Sequence, residues 1–387
     1  MNLNRKQLTI LFTVTILSTI LLTSITVLAF TPSGTFVISG GVYSGAPTYT
    51  IYNISGTYYA KNANGVLAYS GAVCSTIVQN CADQLTTGGK LYFLNGHYQF
   101  NTGFNITYDS VTIEGESKGH ALDGVVFEFT GTGAFITIGS ASLNAWYTMI
   151  ENVRIWDNGS GSVGITTYAD EPLIRNVEVA YFDIGIYLVH NTDLSNYTTA
   201  QAVLSEVNVN NCVYEAIKVE MGDVFAYNLI TAGSGTGLSI VSHAVNQTGG
   251  FSGINIHSWG NDIGVYVRDV FNVDFSNLEC EDNANQGMYI HTYAGDVKRV
   301  AINGGRFWNN PGATSHIHFV TESGSNITNV QMSNIRFDST APAFGSYTPS
   351  GTFEQGSIIG SSFEGALTSY PANLKVNLCW NVSTWIP

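Results

Sequence analysis

The chain has 387 residues, only 11% of them charged, with 41 glycines and 12% aromatic side chains. This composition, with leucine-rich amphipathic helices almost absent, predicts an all-β protein with ample length for a sizeable core. The net charge of −14 excludes a nucleic-acid surface, since phosphates require clustered Lys and Arg, and is compatible with cation binding.

Arg5 and Lys6 precede an uncharged run over residues 8–30, which is 23 residues and long enough to span a bilayer. Val27-Leu28-Ala29 ends like a signal-peptidase site, and Thr and Ser inside the run weaken a permanent anchor. Residues 1–30 therefore read as a signal peptide or an N-terminal membrane anchor. Both place the remainder outside the cell, secreted or held at the surface. Asn53, Asn105, Asn158, Asn196, Asn246, Asn326 and Asn381 each open an Asn-X-Ser/Thr glycosylation sequon without Pro, in agreement with export. Residues 31–72, rich in Gly, Tyr, Thr and Ser, read as a small extended β module.

From Ser75 the pattern changes. Ile77, Cys81 and Leu85 recur at i, i+4 and i+8, one face of a helix with Ser75 as N-cap, and Gly88-Gly89 stop it. A short helix of this kind covers the open end of a solenoid. Cys74 and Cys81 lie roughly 10.5 Å apart along such a helix, too far to bridge within it. Cys280 takes an inward, apolar slot.

Beyond the helix one phrase is repeated. It begins at Asn152, Asn176, Glu206, Asn228, Gly253, Asn277, Gly304 and Asn334, each start 22 to 30 residues after the last. A second run of strand alternation follows in nearly every unit, as in Ile186-Tyr187-Leu188 and Val265-Tyr266-Val267. Units of this length, with short β runs and Asn, Asp or Gly turns, cannot bury an inner face alone and must stack. The expected fold is a right-handed parallel β-helix over residues 73–340, with a short N-terminal capping helix. Residues 341–387 are expected to be a C-terminal partial coil and cap, with Trp380 and Trp385 over the exit end.

The run from Ser75 to Leu85, with Gly88-Gly89-Lys90-Leu91-Tyr92-Phe93, Gly96-His97-Tyr98 and Val111-Thr112-Ile113-Glu114-Gly115-Glu116, resembles the entrance of the pectate-lyase-like superfamily. That superfamily includes pectate lyases, polygalacturonases, rhamnogalacturonases and phage tailspike depolymerases. The resemblance implies a polysaccharide or cell-surface glycan as partner, and a lyase or glycoside hydrolase if the chain is an enzyme. Pectate lyases hold Ca²⁺ between Asp residues, so Ca²⁺ is the one cofactor implied. Polygalacturonase-like members carry catalytic Asp in the turn before the second strand; the matching positions are Asp183, Glu215 and Asp262, with Glu281 and Asp282 ahead of Gly287. The hydrolase signature is broken, because Asn191-Thr192-Asp193 follows the second strand and no Asp-Asp pair, Gly-His-Gly or Arg-X-Lys comes after it.

Equivalent positions of stacked coils lie about 4.8 Å apart, so outward columns can be read from the sequence. The second strands give Tyr187, Lys218, Tyr266 and Tyr289 in one column, with Arg268 and His291 in the next. Tyrosine faces can stack on sugar rings while flanking polar groups bond hydroxyls or carboxylates; the plainer alternative is a solvated strand face. The first strands place Glu279 and Glu281 between Asn255/His257 and Arg306/Trp308, a combination suited to sugar cleavage or simply to cross-strand pairing. A non-catalytic glycosylated surface, adhesin or envelope protein is the alternative to a polysaccharide-active one.

Overall fold

Each repeat opens with a residue that bends the backbone. Asn152, Asn176, Glu206, Asn228, Asn255, Asn277, Gly304 and Asn334 all have φ between +51° and +75°. This left-handed region is costly for most L-residues and tolerated by Asn and Gly. Strands such as Met149–Asp157 and Val297–Trp308 therefore turn a corner while remaining hydrogen-bonded on both arms. The side-chain amides stack along the corner: Asn176 donates to Asn152 at 2.8 Å, Asn255 to Asn228 at 3.1 Å and Asn277 to Asn255 at 3.1 Å.

The computed structural model describes residues 45–119, 123–143, 145–189, 201–242, 250–310, 315–338, 342–347, 351–363, 371, 373–377, 379–381 and 385–386. The export segment 1–30, the Asn191-Thr192-Asp193 run and the sequons at Asn196 and Asn246 lie outside these residues, as do the side chains of Asn381, Trp380 and Trp385. Among the described residues no helix is long and apolar enough to cross a membrane.

The corner strands form one 22-stranded sheet, called here the first sheet, and the runs that follow them form a second sheet of ten strands. Successive repeats pair parallel in both. The result is a parallel β-helix. Its core is built from inward columns such as Ile165–Ile186–Ile217–Leu238–Val265–Met288–Ile317, all fully buried. Burying each such side chain stabilises by roughly 1.5–3 kcal/mol, and only the neighbouring coil can supply the cover.

A helix, α1, spans Cys74–Ala82 and turns Ile77, Val78 and Cys81 into the core. Its N-cap is Val73 rather than Ser75, whose hydroxyl is used tertiarily, donating to Thr102 O at 2.9 Å. Cys74, Cys81, Cys212 and Cys280 are buried free thiols, and burial pushes Cys81 up to about 12. Residues 49–71 form an antiparallel meander whose strand Tyr49–Ile54 pairs parallel with Gly89–Phe93, continuing the first sheet. At the other end Gly356–Ile359 and Leu374–Asn377 add further parallel rungs.

Candidate active site on the first sheet

Hydrogen-bond register decides which outward side chains are neighbours. On the second sheet the expected columns hold: Tyr187–Lys218–Ser239–Tyr266–Tyr289–His318, with Arg268–His291 beside them. On the first sheet one unit is displaced. Ile230 pairs with His257, His257 with Glu279, and Trp259 with Glu281. The fifth repeat thus begins at Asn255, not Gly253, and Asn255 sits at the corner with φ +54° rather than beside Glu279. A two-residue slip leaves the apolar alternation unchanged, so periodicity could not detect it. The corner amide is what distinguishes the two registers.

The turn carboxylates do not converge. Glu215 pairs with Ile184 and Thr236, while Tyr214 is the residue stacked on Asp183, donating its N–H to Asp183 O at 2.9 Å. Asp183 and Asp262 stand three coils apart, roughly 14 Å at the interstrand spacing. Glu215 instead faces the second-sheet surface; burial raises its pKa and Lys218 opposes that. Asp183 and Glu215 therefore do not share a register position.

The second-sheet aromatics are occupied by one another. Tyr266 stacks on Tyr289 at 5.4 Å, and Tyr289 on His291 at 5.4 Å and 11°. Lys218 lies 4.7 Å over the Tyr187 ring and pairs with Glu220, which also accepts from the Tyr187 hydroxyl. Each of these rings therefore already has a partner on at least one face.

On the first sheet the strands Phe251–Trp259, Phe271–Glu281 and Val297–Trp308 lie side by side. They present His257 and Trp259, then Glu279 and Glu281, then Arg306 and Trp308, in register. Glu281 is flanked by two exposed indoles, Trp259 at 44% and Trp308 at 37% exposure. His257 Nε2 meets Glu281 Oε1 at 3.0 Å. Arg306 does not turn to Glu279; its Nε donates to Asp338 at 2.5 Å and its guanidinium lies 4.5 Å over Trp308. Arg336 bonds the same buried Asp338. Beside the carboxylates is a shallow depression of about 280 Å³ lined by Asn228, Ile230, Asn255, Ile256, His257, Asn277 and Glu279.

His257, Glu279 and Glu281 each bring one ligand atom to within 4.8 Å of the others. Ca²⁺ takes six to eight oxygens, which two carboxylates and an imidazole do not provide. The Ca²⁺ chemistry implied by the resemblance does not fit this cluster.

No protein-family model matches the chain, and no curated protein is similar to it in sequence. Solved structures are similar. The enzymatically active domain of tailspike protein 2 from bacteriophage CBA120 superposes with a TM-score of 0.52 at 14% identity, over 82% of this chain and 51% of that one. A tailspike from the Acinetobacter baumannii bacteriophage Fri1, a capsular polysaccharide depolymerase, gives 0.50 at 12% identity, over 79% of this chain and 59% of its own. The shared fold is the β-helix. This β-helix spans only about half to three-fifths of those tailspike chains.

Within the β-helix, His257, Glu279, Glu281, Arg306 and Trp308 come together as a patch. Asp183, Glu215 and Asp262 do not join it, and Tyr187, Lys218, Tyr266, Arg268, Tyr289 and His291 lie on the other sheet. Trp259 belongs to the patch and was not foreseen. The signal was available, because starting the fifth repeat at Asn255 places Trp259 in the column of Glu281 and Trp308.

Proposed function

We propose that the protein binds a polysaccharide across the strands of the first sheet and hydrolyses it there, with Glu279 and Glu281 as the reacting carboxylates. The observation that carries this reading is Glu281 standing in register between the exposed Trp259 and Trp308, with Glu279 two residues away on the same face. Exposed indole faces take sugar rings, and a paired carboxyl system acts on the bond between them. One carboxyl must protonate the leaving oxygen while the other works on the anomeric carbon. Glu281, held by His257, is the carboxylate of the pair, and Glu279 is the proton donor. Their closest oxygens lie within 4.8 Å, nearer the short spacing of a covalent, retaining mechanism than the wide spacing that admits water.

The local charge favours a neutral backbone. Two carboxylates repel a polyuronate, and Arg306 on the adjacent strand is committed to Asp338. The depolymerase named above has this fold, which supports a glycan partner by analogy only. In the same reading the chain is secreted or surface-anchored through residues 8–30, its sequons carry glycans, and α1 closes the entrance end of the solenoid. A second reading, a non-catalytic surface rod, is favoured by the self-stacked second-sheet aromatics.

Incubating the purified protein with neutral and acidic polysaccharides separates the two readings. Hydrolysis yields new reducing ends, and Glu279→Gln and Glu281→Gln each slow it by about 10²–10⁴. Absence of reducing ends from every glycan, with the protein folded, leaves the rod.

A further inference from the structure

Among the described residues every arginine but one donates to a carboxylate. Arg154 bonds Glu178, Arg175 bonds Glu151, Arg299 bonds Asp274, and Arg306 and Arg336 share Asp338. Arg268, on the outer face of the second sheet, is the exception. Its closest carboxylate oxygen belongs to Asp269, 4.0 Å from Nε. That carboxylate is already used, accepting the backbone N–H of Tyr293 at 2.7 Å and of Ala294 at 3.2 Å. Nε of Arg268 is buried without a hydrogen-bond partner. The guanidinium also bonds the Tyr266 hydroxyl, so Nε is the donor left without a hydrogen-bond partner.

The surroundings are fixed. The guanidinium lies between the rings of Tyr266 and Tyr293, at 6.0 and 5.9 Å from their centroids. The Tyr266 hydroxyl meets His291 Nδ1 at 3.0 Å, and His291 Nε2 faces Glu322 at 3.4 Å. Two aromatic walls and an anchored hydroxyl hold the fork in one pose, so little order is lost when a ligand arrives.

We propose that Arg268 is the centre of a second binding site, separate from the hydrolytic patch, which takes a single oxyanion carried on a sugar, a carboxylate or a sulfate. A planar fork with no carboxylate at hydrogen-bond distance matches such groups through two parallel hydrogen bonds. Of the nearby carboxylates, Glu220 pairs with Lys218, Glu322 with His291 and Asp269 with the backbone, while Glu215 acts on Arg268 only through space. Their negative charge admits one oxyanion at the fork and disfavours a run of them. The site lies on the other sheet, so it stands or falls independently of hydrolysis at Glu281.

The test is calorimetric titration of the full chain with oligosaccharides bearing one glucuronate, one sulfate or neither, and with inorganic sulfate. The expected result is binding of an oxyanion-bearing sugar that weakens with salt. Arg268→Gln should weaken it at least tenfold and Arg268→Lys partly, while Arg299→Gln, at an exposed arginine on the other sheet, leaves it unchanged. Preference for glucuronate or for sulfate assigns the source of the oxyanion. Equal binding of neutral and charged sugars, no binding at all, binding of inorganic sulfate only, or a folded Arg268→Lys variant as tight as the parent each overturns the proposal. Thermal melts of both Arg268 variants establish that they are folded.

Discussion

Trp259 lies directly beside Glu281 on the adjacent strand, and Trp308 occupies the same place on the other side. Removing one indole by Trp259→Ala should therefore weaken oligosaccharide binding about tenfold, ~1.4 kcal/mol. Stability should change little, because the ring is 44% exposed. Calorimetry on the variant is the check, and unchanged affinity would mean that the Trp259 indole does not hold the sugar.

A polar spine runs inside the coil next to this patch. Asn261, Asn283 and Asn310 are buried one above another at the turn into the second sheet. The Asn283 amide donates to Ser258 O and to Asn310 Oδ1, both at 3.1 Å, and accepts from Asn261 N at 3.1 Å. Asn283→Ala leaves these groups unpaired at once, so a loss of about 3 kcal/mol is expected in denaturant unfolding. A loss below about 0.5 kcal/mol would mean water replaces the amide.

The spine ends at His316, which is fully buried and takes Asn310 Nδ2 against its Nδ1 at 2.9 Å. Burial pushes its pKa down to about 4, only partly opposed by Asp338. The unfolded chain then binds a proton near pH 6.5 that the native state refuses until about 4. Stability from this group is complete above about pH 6.5 and declines as pH falls towards 4, by about 3 kcal/mol. Comparing unfolding curves of the parent and His316→Gln across that window should show a flatter profile in the variant. Parallel profiles would assign the acid sensitivity elsewhere.

Glu206 is the misfit at the corner. It adopts φ +56° between Asn176 and Asn228, where it can neither relax the backbone nor continue the amide stack. Glu206→Asn should stabilise by roughly 1 kcal/mol, read as a higher denaturation midpoint at unchanged slope. An unchanged or lower midpoint would show that the exposed Glu side chain has a compensating role.

Much of the molecule was legible in its text, and the places where it was not have definite causes. The repeat of Asn or Gly before an apolar-variable-apolar run encodes the corner, and the second-sheet columns follow from their Gly-Ile, Ala-Ile and Gly-Val starts without error. The first-sheet column failed at one repeat, because Gly253-Ile254-Asn255-Ile256 satisfies the same alternation as Asn255-Ile256-His257. Ser75 was misread as a cap because its tertiary partner, Thr102, lies 27 residues away.

By itself, then, the order of residues determined a stacked parallel coil, a helix starting near Ser75 and the identity of most outward columns, since these depend on local backbone preference and short-period burial. Only the tertiary structure decided which columns act together. It moved Trp259 next to Glu281, put Glu215 out of register with Asp183, stacked the second-sheet tyrosines on their neighbours and left Arg268 without a carboxylate at hydrogen-bond distance. Those outcomes depend on register and on competition for partners between coils, and each is resolved only when every neighbouring strand is in place.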